Sequence, residues 1–214
     1  NEGESVLVPQ PGYPLYQAVL AKLGVEAIPY DLDEANDWQP NPAELGAKIK
    51  PGTRALVLIN PNNPTGSVSS KRILEELLEV AARHELVVLS DEIYDRMILD
   101  DDVTHVATAS LRSDVPIATF AGLSKVWLGP GLRLGWCILS GPDAATAPLA
   151  AAMGQLARAR LCASHPVQCA VPAALEGPQD HIREVQHKLR RRRDITVEQL
   201  ARIPGFSLVP PRGA

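Results

Sequence analysis

"RALVLINPNNPTGSV", residues 54–68, runs a nearly continuous apolar stretch straight into a loop of three asparagines and two prolines that closes on Thr65-Gly66. A strand with apolar residues at successive positions is covered on both faces, which places it in a largely parallel sheet with helices on either side. "LVVLS", 86–90, has the same character. Outward from these two, short β-rich runs ("SVLVP", "VEAIPY", "PIATFA", "LGWCILS") alternate with helical stretches at 14–23 and 70–84, so the chain reads as α/β. The loop is over-determined for a surface turn, which needs one Asn or one Pro. Either it is an ordinary strand-to-helix connection, or it fixes one backbone shape to present side-chain amides.

The stretch 70–84 places Ile73, Leu74, Leu77, Leu78 and Ala81 on one face and Arg72, Glu75, Glu76, Glu79 and Arg83 on the other, with Ser69 or Ser70 as its cap. From about 143 the pattern turns helical, "DAATAPLAAAMGQLARARL", breaks at "CASHP" and resumes to Leu175. A boundary is expected at 176–178. One long helix should follow over 179–203, with Ile182, Val185 and Leu189 on a stripe, before "PGFSLVPP" restarts a strand. The basic run Arg190–Arg193 reads as a solvated helix face rather than a phosphate site.

With 214 residues and 45% hydrophobic content, the chain can bury a substantial core of one or two domains. A net charge of -4 offers no general attraction to nucleic acid or to an anionic membrane, which leaves small molecules or other proteins as partners. Cys137, Cys162 and Cys169 form neither a disulfide framework nor a metal-ligand spacing, so no metal is expected and a cytoplasmic setting fits. No apolar run reaches the roughly 18 residues of a membrane span. Both ends are expected to be cut, because the chain opens and stops beside strand-like runs.

In parallel sheets chemistry gathers at the carboxyl ends of strands. There "LVVLS" runs into Asp91, with Tyr94 three residues on; "RALVLI" runs into the asparagine loop; and "PIATFAGLS" ends at Lys125, eight residues before Arg133. An amine, a carboxylate, an amide, a phenol and a guanidinium at adjoining strand ends suit a phosphorylated aromatic aldehyde. "GPGLRLG", 129–135, scans as a dinucleotide-binding loop, but Gly135 leads into another strand rather than a helix. No P-loop, H-E-x-x-H or G-x-S-x-G sequence is present.

"PGYPLY", "NPNNPTG", "SDEIYD" and "GLSKVWLGPGLRLGW" together resemble the fold-type I, pyridoxal-phosphate-dependent aminotransferases of class I/II. "RLCASHPVQCAV", "EGPQDHI" and "PGFSLVPPRGA" are most similar to the alanine aminotransferase branch. The resemblance spans the chain and corresponds to the central part of a longer family sequence. It implies a cofactor-binding large domain over 1–178, lacking its N-terminal side, and over 179–214 an interdomain helix with the start of a small α/β domain. It also implies a homodimer.

By the same resemblance Lys125 bonds covalently to the cofactor aldehyde and, once freed, is the general base; that needs an amine deprotonated by desolvation or by nearby positive charge. Asp91 pairs with the pyridine nitrogen. Asn63, after which a cis proline bond is implied, and Tyr94 hydrogen-bond the phenolic oxygen, and Asn63 also reaches the substrate. Tyr13 stacks on the ring, its alternative being a turn aromatic packed locally. Arg133 and Ser124 hold the phosphate, whereas position 122, a serine in many relatives, is Gly. The family's glycine-rich phosphate loop and its carboxylate-binding arginine have no counterpart here, and Arg212 does not match the latter. The chain by itself is therefore expected to bind cofactor weakly and turn over little.

The implied reaction is transamination between an amino acid, alanine favoured, and 2-oxoglutarate or pyruvate in two half-reactions. A C-S lyase or decarboxylase on the same fold would share these residues, and a ligand-sensing domain of a transcriptional regulator would not be distinguished by them.

Overall fold

The structure is a computed structural model that describes residues 3–159 and 161–214. Its elements, in chain order, are β1 (Ser5–Gln10), α1 (Pro14–Lys22), β2 (Glu26–Asp33), β3 (Gln39–Pro40), α2 (Pro42–Ala47), β4 (Thr53–Ile59), α3 (Lys71–Arg83), β5 (Val87–Asp91), β6 (Ile117–Gly122), β7 (Gly135–Ser140), α4 (Asp143–Ala159), α5 (His165–Gln168), α6 (Ala170–Glu176) and α7 (Asp180–Leu200). The seven strands form one sheet in the order β3-β2-β1-β4-β5-β6-β7. The five central strands run parallel and the two edge strands antiparallel, a mixed form of the mostly parallel α/β sheet expected. Arg160, within the helical stretch expected over 143–161, lies outside the described residues.

Apolar alternation on the central strands serves two cores. Leu7, Leu56, Leu58, Val88 and Ile117 pack under Leu45 of α2 and the Ile73, Leu74, Leu77, Leu78 and Ala81 stripe of α3. Val6, Val8, Ala55, Val57 and Ile59 face the other way, against Tyr16 and Leu20 of α1. Ser70 caps α3, its side chain accepting from the Ile73 amide. Because β1 sends its chain through α1 to β2 on one side while β4 lies on its other side, the loops after β1 and β4 diverge and leave a crevice at their carboxyl ends.

Register sets the level of that crevice. Asp91, last in β5, stands opposite Ile59, last in β4, and opposite Phe120 of β6, which runs two residues further to Gly122, so β4 and β5 end together beside the longer β6. The Asn60 amide donates to the Asp91 carbonyl at 3.0 Å and the Glu92 amide to the Phe120 carbonyl at 2.9 Å, which carries the alignment past the sheet.

The expected strand after α7 does not form. Residues 203–212 run without regular structure, and only Gly213 bridges, to Ile98. Pro204, Pro210 and Pro211 offer no amide donors for a ladder, which overrides the β-prone Phe206 and Val209. The Arg190–Arg193 run also divides. Arg191 and Arg192 are solvated as expected, while Arg190 and Arg193 turn onto the body of the fold. α7 lays Ile182, Val185 and Leu189 on Met97, Val126, Tyr94 and Trp127.

Candidate active site

The asparagine loop after β4 is held from within. The buried Asn60 accepts from the Ser69 amide through its side chain at 2.9 Å. Asn62, also buried, donates to Thr65 Oγ1 at 2.8 Å, while its carbonyl accepts from the Gly66 amide at 2.8 Å. Gly66 sits at a φ of 68°, a left-handed turn position that favours glycine. Two asparagines thus tie down the loop and the third, Asn63, is presented outward. The Asn63-Pro64 bond is cis.

Tyr13, Asn63, Asp91, Tyr94, Ser124, Lys125 and Arg133 all line one cavity of about 330 Å³, whose apolar wall includes Ile59, Ile93 and Phe120. Every site residue named from the sequence is in this set. Tyr13, at the start of α1, is 46% exposed and faces the cavity rather than packing at its turn. Asn63 Nδ2 lies 3.4 Å from the Tyr94 hydroxyl, a long contact that leaves both groups available to a third partner.

Lys125 stands in the turn after β6, its Nζ 5.5 Å from the centroid of the Tyr94 ring. The side chain is exposed, on the same cavity wall as Arg133. Arg133 is held at a φ of 51°, a strained left-handed conformation for a non-glycine residue, and donates to the Pro130 carbonyl at 2.9 Å. A Cβ at Gly122 would stand 2.8 Å from the Leu134 carbonyl oxygen and 2.9 Å from Gly135 Cα. The close β6–β7 pairing therefore leaves no room for a side chain at position 122, and Ser124 is the hydroxyl that lines the cavity with Arg133.

Asp91 has two donors, the Ile93 amide to Oδ1 at 3.3 Å and the Tyr16 hydroxyl to Oδ2 at 2.8 Å. Burial pushes its carboxyl above the ordinary range, and those two donors offset part of the rise. Burial and the facing Asp91 charge push the Tyr16 phenol up, so it remains a donor. Tyr16 was missed from sequence because within "PLYQAVLAK" it reads as one more apolar position of a helix.

Beneath Asp91, the buried Glu92 accepts from Ser90 Oγ at 2.8 Å and from the Thr108 amide at 3.0 Å. His105 Nε2 stands 3.4 Å from its other oxygen without hydrogen-bond alignment. Nothing in "SDEIYD" distinguishes which of its acids faces the cavity, except that side chains alternate along a strand.

The model of the family "Aminotransferase class I and II" matches residues 1–214. The chain belongs to the class I and II aminotransferases. The glutamate-pyruvate aminotransferase AlaA of Escherichia coli K12 is 43% identical over the whole chain, which covers 53% of that protein. An alanine aminotransferase of Mycobacterium tuberculosis is 42% identical, with 50% of it covered. Among solved structures, an alanine aminotransferase from Pyrococcus furiosus superposes with a TM-score of 0.96 at 41% identity, the chain covering 54% of it. The chain thus spans about half the length of these relatives.

The family works with pyridoxal phosphate, and the aminotransferase cavity fits that group. It offers one amine, one half-buried carboxylate, an amide and phenol pair, an aromatic side chain and a guanidinium with a neighbouring hydroxyl, in a volume suited to a small cofactor.

Proposed function

We propose that the protein containing this aminotransferase chain transfers an amino group from alanine to a 2-oxo acid, 2-oxoglutarate in the first instance, and back. The observation that carries the reading is the convergence of Lys125, Asp91, Asn63, Tyr94, Ser124, Arg133 and Tyr13 on one cavity at the carboxyl ends of neighbouring strands. The choice of alanine rests on the likeness to the alanine and glutamate-pyruvate aminotransferases.

When bound, the cofactor supplies an electron sink for the bond broken at the amino acid's α-carbon. Lys125 anchors it and then moves the α-proton as general base, a positioned transfer typically worth about 10² to 10⁴ in rate. The Asp91 carboxylate keeps a proton on the ring nitrogen, and Tyr16 holds that carboxylate in place. Asn63 and Tyr94 donate to the phenolic oxygen, with Asn63 within reach of the substrate. Arg133 and Ser124 hold the phosphate, the guanidinium by paired charge-assisted bonds. Tyr13 stacks on the ring.

The same reading divides the chain into a cofactor-binding domain, 1–178, and an interdomain helix with the start of a second domain, 179–214. It makes the protein a homodimer, which is supported by the uncovered Leu15 and Val19 of α1, with Leu23 just past its end, and by the exposure of Lys125 and Arg133 at the cavity. A cytoplasmic location is supported by the three free cysteines. Among the described residues no helix is long and apolar enough to cross a membrane.

Product analysis tests the reaction. With the reading frame that encodes residues 1–214, alanine and 2-oxoglutarate should give pyruvate and glutamate in equal amounts. Release of ammonia or carbon dioxide instead would contradict transamination.

A further inference from the structure

Residues 211–214 enter the fold between the two loops that carry Asn63 and Tyr94. On one side the amides of Arg212 and Gly213 both donate to the Gly66 carbonyl, at 2.9 and 2.8 Å. On the other, the Leu99 amide donates to the Arg212 carbonyl at 2.8 Å and the Ala214 amide to the Met97 carbonyl at 3.0 Å. The fit is tight. A Cβ at Gly66 would come within 2.4 Å of Pro211 Cβ, and one at Gly213 within 3.0 Å of the Met97 carbonyl oxygen. Asn63 lies three residues before Gly66, and the Tyr94 carbonyl is bonded to the Met97 amide at 2.8 Å.

Charge holds the wedge in place. Arg193 of α7 forms an ion pair from Nη1 to Asp100 Oδ1 at 2.7 Å and donates to the Pro211 carbonyl at 3.0 Å. Arg212 Nε takes the other oxygen of Asp100 at 3.0 Å, and its Nη2 reaches Asp102. One helical turn before Arg193, Arg190 forks onto Asp101 at 2.7 and 2.9 Å. Side-chain exposures of 12% at Arg193 and 23% at Asp100 set this pair apart from the solvent-screened pairs on the rest of the surface.

We propose that Arg193 and Arg212, through Asp100, form a clasp by which residues 211–213 hold the Asn63 and Tyr94 loops at a fixed separation, which makes both arginines positioning residues for the contacts to the cofactor's phenolic oxygen. The clasp rests on the proposed function for its effect on the cofactor. Its mechanical part, the coupling of α7 and residues 211–214 to the two loops, does not.

The test uses the reading frame that encodes residues 1–214 in wild-type form and as Arg193→Ala, Arg212→Ala and, as a control on the solvated face, Arg191→Ala. Two quantities are read: the pH midpoint of the visible absorbance change of the protein loaded with pyridoxal phosphate, and hydrogen exchange at 62–66 and 94–99 in the cofactor-free protein. Donors to the phenolic oxygen stabilise its negative charge and weaken its hold on a neighbouring proton, so loosening them raises the midpoint. Arg193→Ala and Arg212→Ala should raise it by about half a unit or more and speed exchange at both segments several-fold, while Arg191→Ala does neither. Unchanged midpoint and exchange in folded Arg193→Ala and Arg212→Ala would overturn the clasp; if Arg193→Ala does not fold, Arg212→Ala alone decides. A wild-type protein with no visible band would overturn the proposed function instead, and exchange in the cofactor-free protein would still decide the coupling.

Discussion

The Tyr16 hydroxyl donates to Asp91 Oδ2 at 2.8 Å, joining the helix after the first strand to the carboxylate that ends the fifth. The bond spans the switch point of the sheet, where the loop after β1 and the end of β5 converge on one cavity. It orients the carboxylate and favours its charged form against the burial that opposes it.

On the proposed function, Tyr16→Phe should therefore weaken the hold of Asp91 on the ring nitrogen. The lost bond to a charged acceptor is worth about 1.5 to 3 kcal/mol, or roughly ten- to a hundredfold in the rate of α-proton abstraction. Single-turnover spectroscopy with alanine checks it. An unchanged rate would show that Ile93 and the protein around Asp91 hold the carboxylate unaided.

Asp91→Asn should separate stability from activity. A carboxyl whose folded-state range lies above its unfolded one binds more protons when folded, so the charged form costs stability as pH rises through that interval. The cofactor-free Asp91→Asn protein should then gain stability relative to wild type as pH rises from the acid range to neutrality, where the wild-type carboxyl is made to carry its charge. Proton abstraction in the loaded variant should fall steeply. Thermal melts across pH and single-turnover rates read the two effects independently.

Glu92→Ala should destabilise the fold by about 1 to 3 kcal/mol, because it strands the Thr108 amide in a buried site and leaves the Ser90 hydroxyl only its bond to Thr108 Oγ1. Glu92→Gln retains an acceptor and should cost less than half as much. Urea denaturation of the two variants provides the comparison, and equal losses would contradict the network.

Gly122→Ser should add no phosphate contact and should destabilise by about 1 to 3 kcal/mol, since the new Cβ meets the Leu134 carbonyl oxygen at 2.8 Å. Cofactor titration and denaturation check both halves. A tighter complex with unchanged stability would show that the β6–β7 pair opens easily.

The parts of this architecture that are local in sequence were legible there. The continuous apolar run of β4, the amphipathic stripe of α3 and the residues just past β4, β5 and β6 carry their own signals, since a strand end determines where the next few side chains point. Features joining distant segments were not. Tyr16 reaches Asp91 across 75 residues, and Arg190 reaches Asp101 across 89, so a basic run that looks uniformly solvated divides into two anchors and two solvated side chains. Residues 204–210 misled for a different reason: β-prone side chains stand among prolines that leave too few amide donors for a ladder.

The most direct test of the central claim is reductive trapping. The reading frame that encodes residues 1–214, incubated with pyridoxal phosphate, should develop a visible absorbance band, and borohydride should fix the cofactor to Lys125, the amine that lines the cavity with Asp91 and Arg133. Peptide mapping that places the adduct on Lys125 agrees with the account. An adduct on Lys22, Lys48, Lys50, Lys71 or Lys188, with Lys125 unmodified, would contradict it.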